Sequence, residues 1–265
     1  MRKQKGLHRG GRVLKTRIMP TLLYRGSGLV KGVGFDAWRT VGAALQAVRV
    51  YNMRQVDELV FLDIDATREG RSPDYALIDD LADDCFMPLT VGGGIRKVEH
   101  VERLLEVGAD KVSLNSAAIE VDGLVTEVAR RFGAQCVVAS VDARRTEDGW
   151  NVVTRSGTRP TRLDPVELCR RLEGEGAGEV LLTSVERDGT MEGYDIELCR
   201  AVSDAVSIPV IASGGAGSID HVRAVLRDGK ASAAAMASVF HFTELTPLEI
   251  KSALAEDGIP VRRAA

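Results

Sequence analysis

"PLTVGGGIRKVEHVERLLEVGADKVSLNSA", Pro88 to Ala117, holds two short apolar runs separated by a glycine turn and an amphipathic helix pattern. The runs "PLTV" and "KVSLN" show little polar alternation, as expected of strands covered on both faces. Between them, Val98, Val101, Leu104 and Leu105 recur at spacings of three and four, the stripe of a helix packed on a sheet. A strand, a helix and a second buried strand make a unit that forces a parallel pair.

The same alternation runs along the chain. "TRIMPTLL", "LVFLDI", "PLTV", "KVSLN", "CVVASVD", "EVLLTSV", "PVIAS" and "AAAMAS" read as eight strands. The segments "TVGAALQAVRVYNMR", "PDYALIDDLADD", "KVEHVERLLEVG", "DGLVTEVARRFG", "DPVELCRRLEGEG", "YDIELCRAVSDA" and "IDHVRAVLRDG" read as helices, several opened by Asp or Pro and closed by Gly. Eight such units favour a closed (βα)8 barrel, an α/β fold, over an open sheet. The barrel is expected over residues 16–265, after a flexible basic arm over residues 1–15, "MRKQKGLHRGGRVLK".

The chain also resembles itself. "PVIASGGAGSIDHVRAVLRDGKASAAAMASV", from Pro209, aligns with the stretch from Pro88, and the same offset pairs Glu58 with Glu179 and His100 with His221. This pattern implies an internal two-fold repeat of half-barrels. In each half a strand ends in glycines, at Gly92 to Gly94 and Gly214 to Gly217, and the next strand ends in small residues, at Asn115 and Ala237. Backbone N–H groups free of Cβ atoms, beside a helix N-terminus, are chemistry for a phosphate. Two copies imply a ligand with a phosphate at each end, across the mouth where active sites of this fold lie.

Composition narrows the classes. With 265 residues, 45% hydrophobic and 28% charged, the chain is long enough for one sizeable core, and a net charge of −3 gives no nucleic-acid footprint. No apolar run approaches the ~18 residues of a membrane span. The four cysteines, Cys85, Cys136, Cys169 and Cys199, are scattered and form no C-x-x-C pair, which suits reduced cytoplasmic thiols and no metal site. No secretory apolar core comes after the basic start.

At "DELVFLDI", "VGGGI", "GADKVSLNSAA", "SVDARR", "GAGEVLLTSVERDGT", "IASGGAG" and "ASVFHF", the sequence resembles the cyclase subunit of imidazole glycerol-phosphate synthase. That resemblance implies a histidine-pathway (βα)8 barrel without a cofactor. Its glutaminase partner docks on the N-terminal face and sends ammonia through the barrel to a bisphosphate ribonucleotide. It further implies phosphate contacts at Gly94, Asn115 and Ser116 in one half and Gly189, Gly215 and Ser238 in the other, with Asp188 and Asp63 positioning substrate. Lys31 would lie on a loop covering the ligand. Arg17, Glu58, Lys111 and Glu179 stand at the positions of the family's ammonia gate, and Asp110 at its glutaminase interface. Ordinary ion pairs at the barrel base, and a turn aspartate at "GAD", are the plainer readings of the same residues.

One departure stands out. The family's chemistry uses two carboxylates, because ring closure and bond cleavage need protons moved at separate atoms. Asp142 supplies one. The other belongs at the end of the first strand, where this chain has Leu23, and Asp65 is a speculative substitute. "PTLLYRGSGLVK", "VDELVFLDIDAT", "DYALIDDLADDCFMPL" and "AVSIPVIASGGAG" look more like cyclase paralogues that accompany sugar amidotransferases in bacterial surface-polysaccharide pathways. The resemblance therefore implies an ammonia-delivering synthase subunit for amidation or amidination, with a sugar amidotransferase as a further partner. A genuine cyclase, a noncatalytic activator of a glutaminase and the related one-chain sugar isomerase remain as alternatives.

Overall fold

The computed structural model describes residues 15–262, so the basic arm, apart from Lys15, lies outside the described residues. In chain order the elements are β1 (Arg17–Arg25), β2 (Gly28–Val33), β3 (Asp36–Gly42), α1 (Ala44–Met53), β4 (Leu59–Asp63), α2 (Tyr75–Asp83), β5 (Leu89–Gly92) and α3 (Val98–Glu106). Next come β6 (Lys111–Leu114), α4 (Ser116–Glu120), α5 (Leu124–Phe132), β7 (Val137–Thr146), β8 (Gly149–Thr154), β9 (Arg159–Pro160) and α6 (Pro165–Gly174). The chain continues through β10 (Glu179–Ser184), α7 (Ile196–Ser203), β11 (Val210–Ser213), α8 (Ile219–Arg227), β12 (Ala233–Met236), α9 (Ser238–Phe242) and α10 (Pro247–Glu256).

Strands β1, β4, β5, β6, β7, β10, β11 and β12 pair in that order, all parallel, and β12 pairs with β1 to close the ring. These are the eight runs that the apolar pattern marks as strands, and the architecture is a (βα)8 barrel. Several helices start where an acceptor side chain meets their free N–H groups: Asp74 bonds Leu77, Asp164 bonds Val166 and Glu167, and Asp195 bonds Leu198.

The pleat sorts the side chains into two shells. Along β1, Ile18 and Leu22 point outward into the layer shared with the helices, whereas Met19 joins Val60, Val138, Leu181, Ile211, Ala233 and Ala235 in a separate cluster inside the barrel. Parity therefore also sends Arg17, Thr21 and Leu23 inward.

Two expectations are corrected. After β1, Gly26, at a φ of +64°, turns the chain directly into β2, which pairs antiparallel with β1. The helix expected from Thr40 begins at Ala44, because "DAWRTVG" is rich in aromatic and β-branched residues and pairs with β2. Lys31, expected on a covering loop, lies within β2 and is buried. Also, β7 runs past the barrel rim into a hairpin with β8, and α10 adds a helix opened by a Thr246/Glu249 capping box.

A buried polar clamp ties α10 to the barrel base. Asp57 accepts the Ile18 N–H at 2.9 Å through one oxygen and the Lys251 ammonium at 3.0 Å through the other, and Lys251 also donates to the Gln55 carbonyl at 3.0 Å. Both side chains are about 95% buried or more. Removing one partner of a buried ion pair leaves an uncompensated charge, at a cost of about 3–5 kcal/mol. Lys251→Met is therefore expected to lower the urea-unfolding free energy by that amount, and Asp57→Asn in the same background to recover part of it.

Candidate functional site

At the N-terminal end of the strands, the first inward residues of β1, β6 and β10, with Glu58 just ahead of β4, are all charged. Arg17 reaches Glu58 and Glu179, each at 2.9 Å, and Lys111 reaches the same two carboxylates at 2.9 and 3.2 Å. The four residues thus form a closed ring of alternating sign across the barrel base. Burial opposes the Arg17 charge, but Glu179 and Glu58 outweigh it and raise its pKa; burial likewise works against Glu58, and Arg17 and Lys111 lower its pKa on balance. Arg262 approaches Glu58 from outside the ring at 3.8 Å.

Above the ring lies the apolar inner cluster, and above that the inward residues turn polar again: Thr21, Ser113, Ser140 and Thr183. These open into a cavity at the C-terminal mouth. Gly94, Asn115, Ser116, Gly189, Gly215 and Ser238, drawn from both halves of the chain, all line it, as do Asp63, Asp142 and Asp188. The fold thus brings together residues far apart in sequence.

Asp142 is the best-prepared acid–base group. Burial and the neighbouring Asp188 charge push its carboxyl up to about 7, against the opposing hydrogen bonds of Asn115, at 3.0 Å, and Thr183. Burial lifts Asp188 to about 6, opposed by Lys31. Burial draws the Lys31 ammonium down to about 8, opposed by Asp188, and it donates to the Thr21 carbonyl at 3.0 Å. Leu23 lines the same cavity, where its side chain can neither give nor take a proton.

Other expected residues have fixed structural partners. Asp63 accepts the N–H groups of Asp65 and Ala66 and pairs with Arg71 at 2.9 Å. Asp65 pairs with Arg25 at 2.9 Å and Arg68 at 3.5 Å and is not among the residues lining the mouth cavity, so it is badly placed as a substitute acid. Asp110 accepts the Leu89 N–H at 2.8 Å, the turn role, while its side of the loop stays exposed. The Ser116 hydroxyl donates to Asn115 and accepts the Arg155 N–H.

The glycines answer to backbone packing as well as to any ligand. A Cβ on Gly189 would sit 2.0 Å from the Gly32 carbonyl oxygen, and one on Gly215 would sit 2.1 Å from that of Gly193. The first contact seats the β2–β3 hairpin on the loop after β10, where Gly34 also donates to the Asp188 carbonyl at 2.9 Å. That hairpin brings Phe35 and Trp38 to the cavity wall, and the loop after β8 brings Arg155 and Ser156. Sequence reasoning missed these four, although the aromatic and β-branched residues Trp38, Thr40 and Val41 were a readable strand signal for the first hairpin. His100 and His221 each bond back to the glycine loop before their helix, at Gly94 and Gly217.

Compared with known proteins, residues 17–246 match a family model described as "Histidine biosynthesis protein".

The raised Asp142 pKa makes stability depend on pH. In the folded chain it lies above the ordinary carboxylate range near 4, so between about pH 4 and 7 the native state holds the extra proton and stability falls as pH rises. Asp142→Asn removes that penalty. Urea unfolding is expected to show the variant gaining on the parent by a few kcal/mol between about pH 4 and 8; a difference that is flat with pH contradicts the assignment.

Proposed function

Because the chain belongs to the histidine biosynthesis protein family, we propose that it is a cyclase-like synthase subunit that delivers ammonia, through the barrel, for amidation or amidination of a phosphorylated, sugar-derived acceptor. The observation that carries this reading is Leu23 on the cavity wall, in the same mouth as Asp142, above an intact ring of four charges. A general acid or base contributes ~10²- to 10⁴-fold, so the two-acid cyclisation is crippled at its first-strand member. The route toward the mouth is not.

In this reading a glutaminase subunit docks over the barrel base, with Asp110 on its contact face. The glutaminase releases neutral ammonia, and the layer above the ring, of Met19, Val60, Val138, Leu181, Ile211 and alanines, offers a charge nothing, so only the neutral molecule enters it. Neutral ammonia crosses and meets Thr21, Ser140 and Thr183, whose oxygens can hold it. Lys111, the most exposed member of the ring at 16%, is the side chain that swings aside to open the way.

At the mouth, Gly94, Asn115 and Ser116 cradle one phosphate and Gly189, Gly215 and Ser238 the other, one cradle from each copy of the internal repeat. Asp188 and Lys31 orient the ligand, Asp63 holds the first glycine loop, and Asp142, poised near neutral pH, moves the proton released on amination. A sugar amidotransferase is the partner that completes the transfer.

A second reading, a genuine cyclase, is favoured by one observation: Asp188 lines the same cavity with a pKa lifted to about 6, and so could act as a second acid. A steady-state assay with the bisphosphate ribonucleotide and ammonium salt separates the two. The parent chain is expected to form essentially no imidazole glycerol phosphate, and Leu23→Asp to raise turnover by at least ~10²-fold. Robust turnover by the parent that is lost in Asp142→Asn would overturn the proposal.

A further inference from the structure

Beside the mouth lies a second pocket, bounded by Arg25, Arg68 and Arg144 and sharing Phe35, Trp38 and Ser156 with the main cavity. We propose that it is a third phosphoryl subsite, so that the mouth's ligand carries a further phosphoryl group, held by these arginines, beyond the two cradles. The inference rests on the reading that the mouth binds a phosphorylated ligand, and extends it outward.

The arginines come from three separate elements: β1, the loop after β4, and β7. Their side chains are 38%, 42% and 40% exposed, and all three line the pocket. The carboxylates facing them are Asp65, which takes Arg25 at 2.9 Å and Arg68 at 3.5 Å, and Glu186, at 3.7 Å from Arg144. Asp36 also borders the pocket, its carboxylate accepting the Ala37 N–H at 2.8 Å.

Half-exposed pairs of this kind contribute little to stability, so they do not explain three arginines around one hollow. Each guanidinium commits few of its N–H groups to these contacts, and Arg144 gives one more to the Gly157 carbonyl at 3.4 Å. Three arginines lining one pocket suit the three terminal oxygens of a phosphoryl group better than the two of a carboxylate. Phe35 and Trp38, on the wall between the two cavities, give a flat apolar face for the ring joining this group to the rest of the ligand.

The chain has two tryptophans, Trp38 and Trp150. In a Trp150→Phe background Trp38 alone fluoresces, and it reports on this pocket. Titration with inorganic pyrophosphate at fixed ionic strength is expected to give a saturable fluorescence change, with the apparent Kd weakened at least fivefold by Arg68→Gln and by Arg144→Gln. No saturable change, or equal affinity in the arginine variants, overturns the subsite.

A calorimetric titration with inorganic phosphate keeps the two readings apart. A phosphate stoichiometry that falls by one site in Ser238→Asp, with no arginine-dependent Trp38 signal, overturns the third subsite alone. A stoichiometry indifferent to Ser238→Asp overturns the cradle reading beneath it.

Discussion

Four charges of alternating sign, closed on one another at 2.9–3.2 Å, occupy the lumen at the base of the barrel. Their placement constrains the rest of the lumen. Taking ions out of water is costly, and the cost is offset only when the partners meet in good geometry. Arg17, Lys111 and Glu179 open β1, β6 and β10, and Glu58 immediately precedes β4, so the ring fixes the register of four strands at once. Because side chains alternate strictly along a strand, that register decides which residues reach the mouth: Leu23 from β1, Asn115 after β6 and Thr183 from β10. A slip of one residue in any of these strands would turn its charge into the apolar layer beneath the helices.

The resulting lumen is polar at both ends and apolar in the middle. Its base holds paired ions, its centre holds Met19, Val60, Val138, Leu181 and Ile211 with alanines from β12, and its mouth holds carboxyls whose pKa values burial has moved toward neutrality. Such a profile suits a small neutral molecule rather than an ion. The mouth is lopsided: Asp142 and Asp188 are ionisable at its wall, and Leu23 is not.

Much of the fold could be read from the chain because buried parallel strands leave continuous apolar runs and packed helices leave a three-and-four stripe. "KVEHVERLLEVG" and α3 agree to within a residue or two at each end. The first rim hairpin was harder: "GLVKGV" and "DAWRTVG" pair with each other at the barrel's edge, where no helix imposes a burial pattern, and Thr40–Gly42 merged into the helix stripe beyond it. At the site, the alignment of the halves brought out the glycine ends at Gly92 to Gly94 and Gly214 to Gly217 and the small residues at Asn115 and Ala237, whereas the individual contacts at Gly94, Asn115, Ser116, Gly189, Gly215 and Ser238 were implied by the family resemblance. Lys31 was misplaced because strand burial of a lysine leaves no mark in a sequence, and Asp65 was overrated because nothing in the chain says that Arg25 and Arg68 hold it. Trp38, Phe35 and Arg155 reach the mouth only through tertiary folding of the hairpins.

On the proposed reading, the ring serves passage and not stability. Buried ion networks replaced whole by apolar residues of similar volume are often as stable or more so, by about 1–4 kcal/mol, whereas removing one member costs about 3–5 kcal/mol. The direct measurement is the urea-unfolding free energy of the parent, of Arg17→Met, and of the fourfold variant Arg17→Met, Glu58→Leu, Lys111→Met, Glu179→Leu. The single variant should be strongly destabilised, and the fourfold variant should match or exceed the parent. A fourfold variant as unstable as the single one, or more so, would mean that the ring is a structural fastening, and would contradict its reading as a gate.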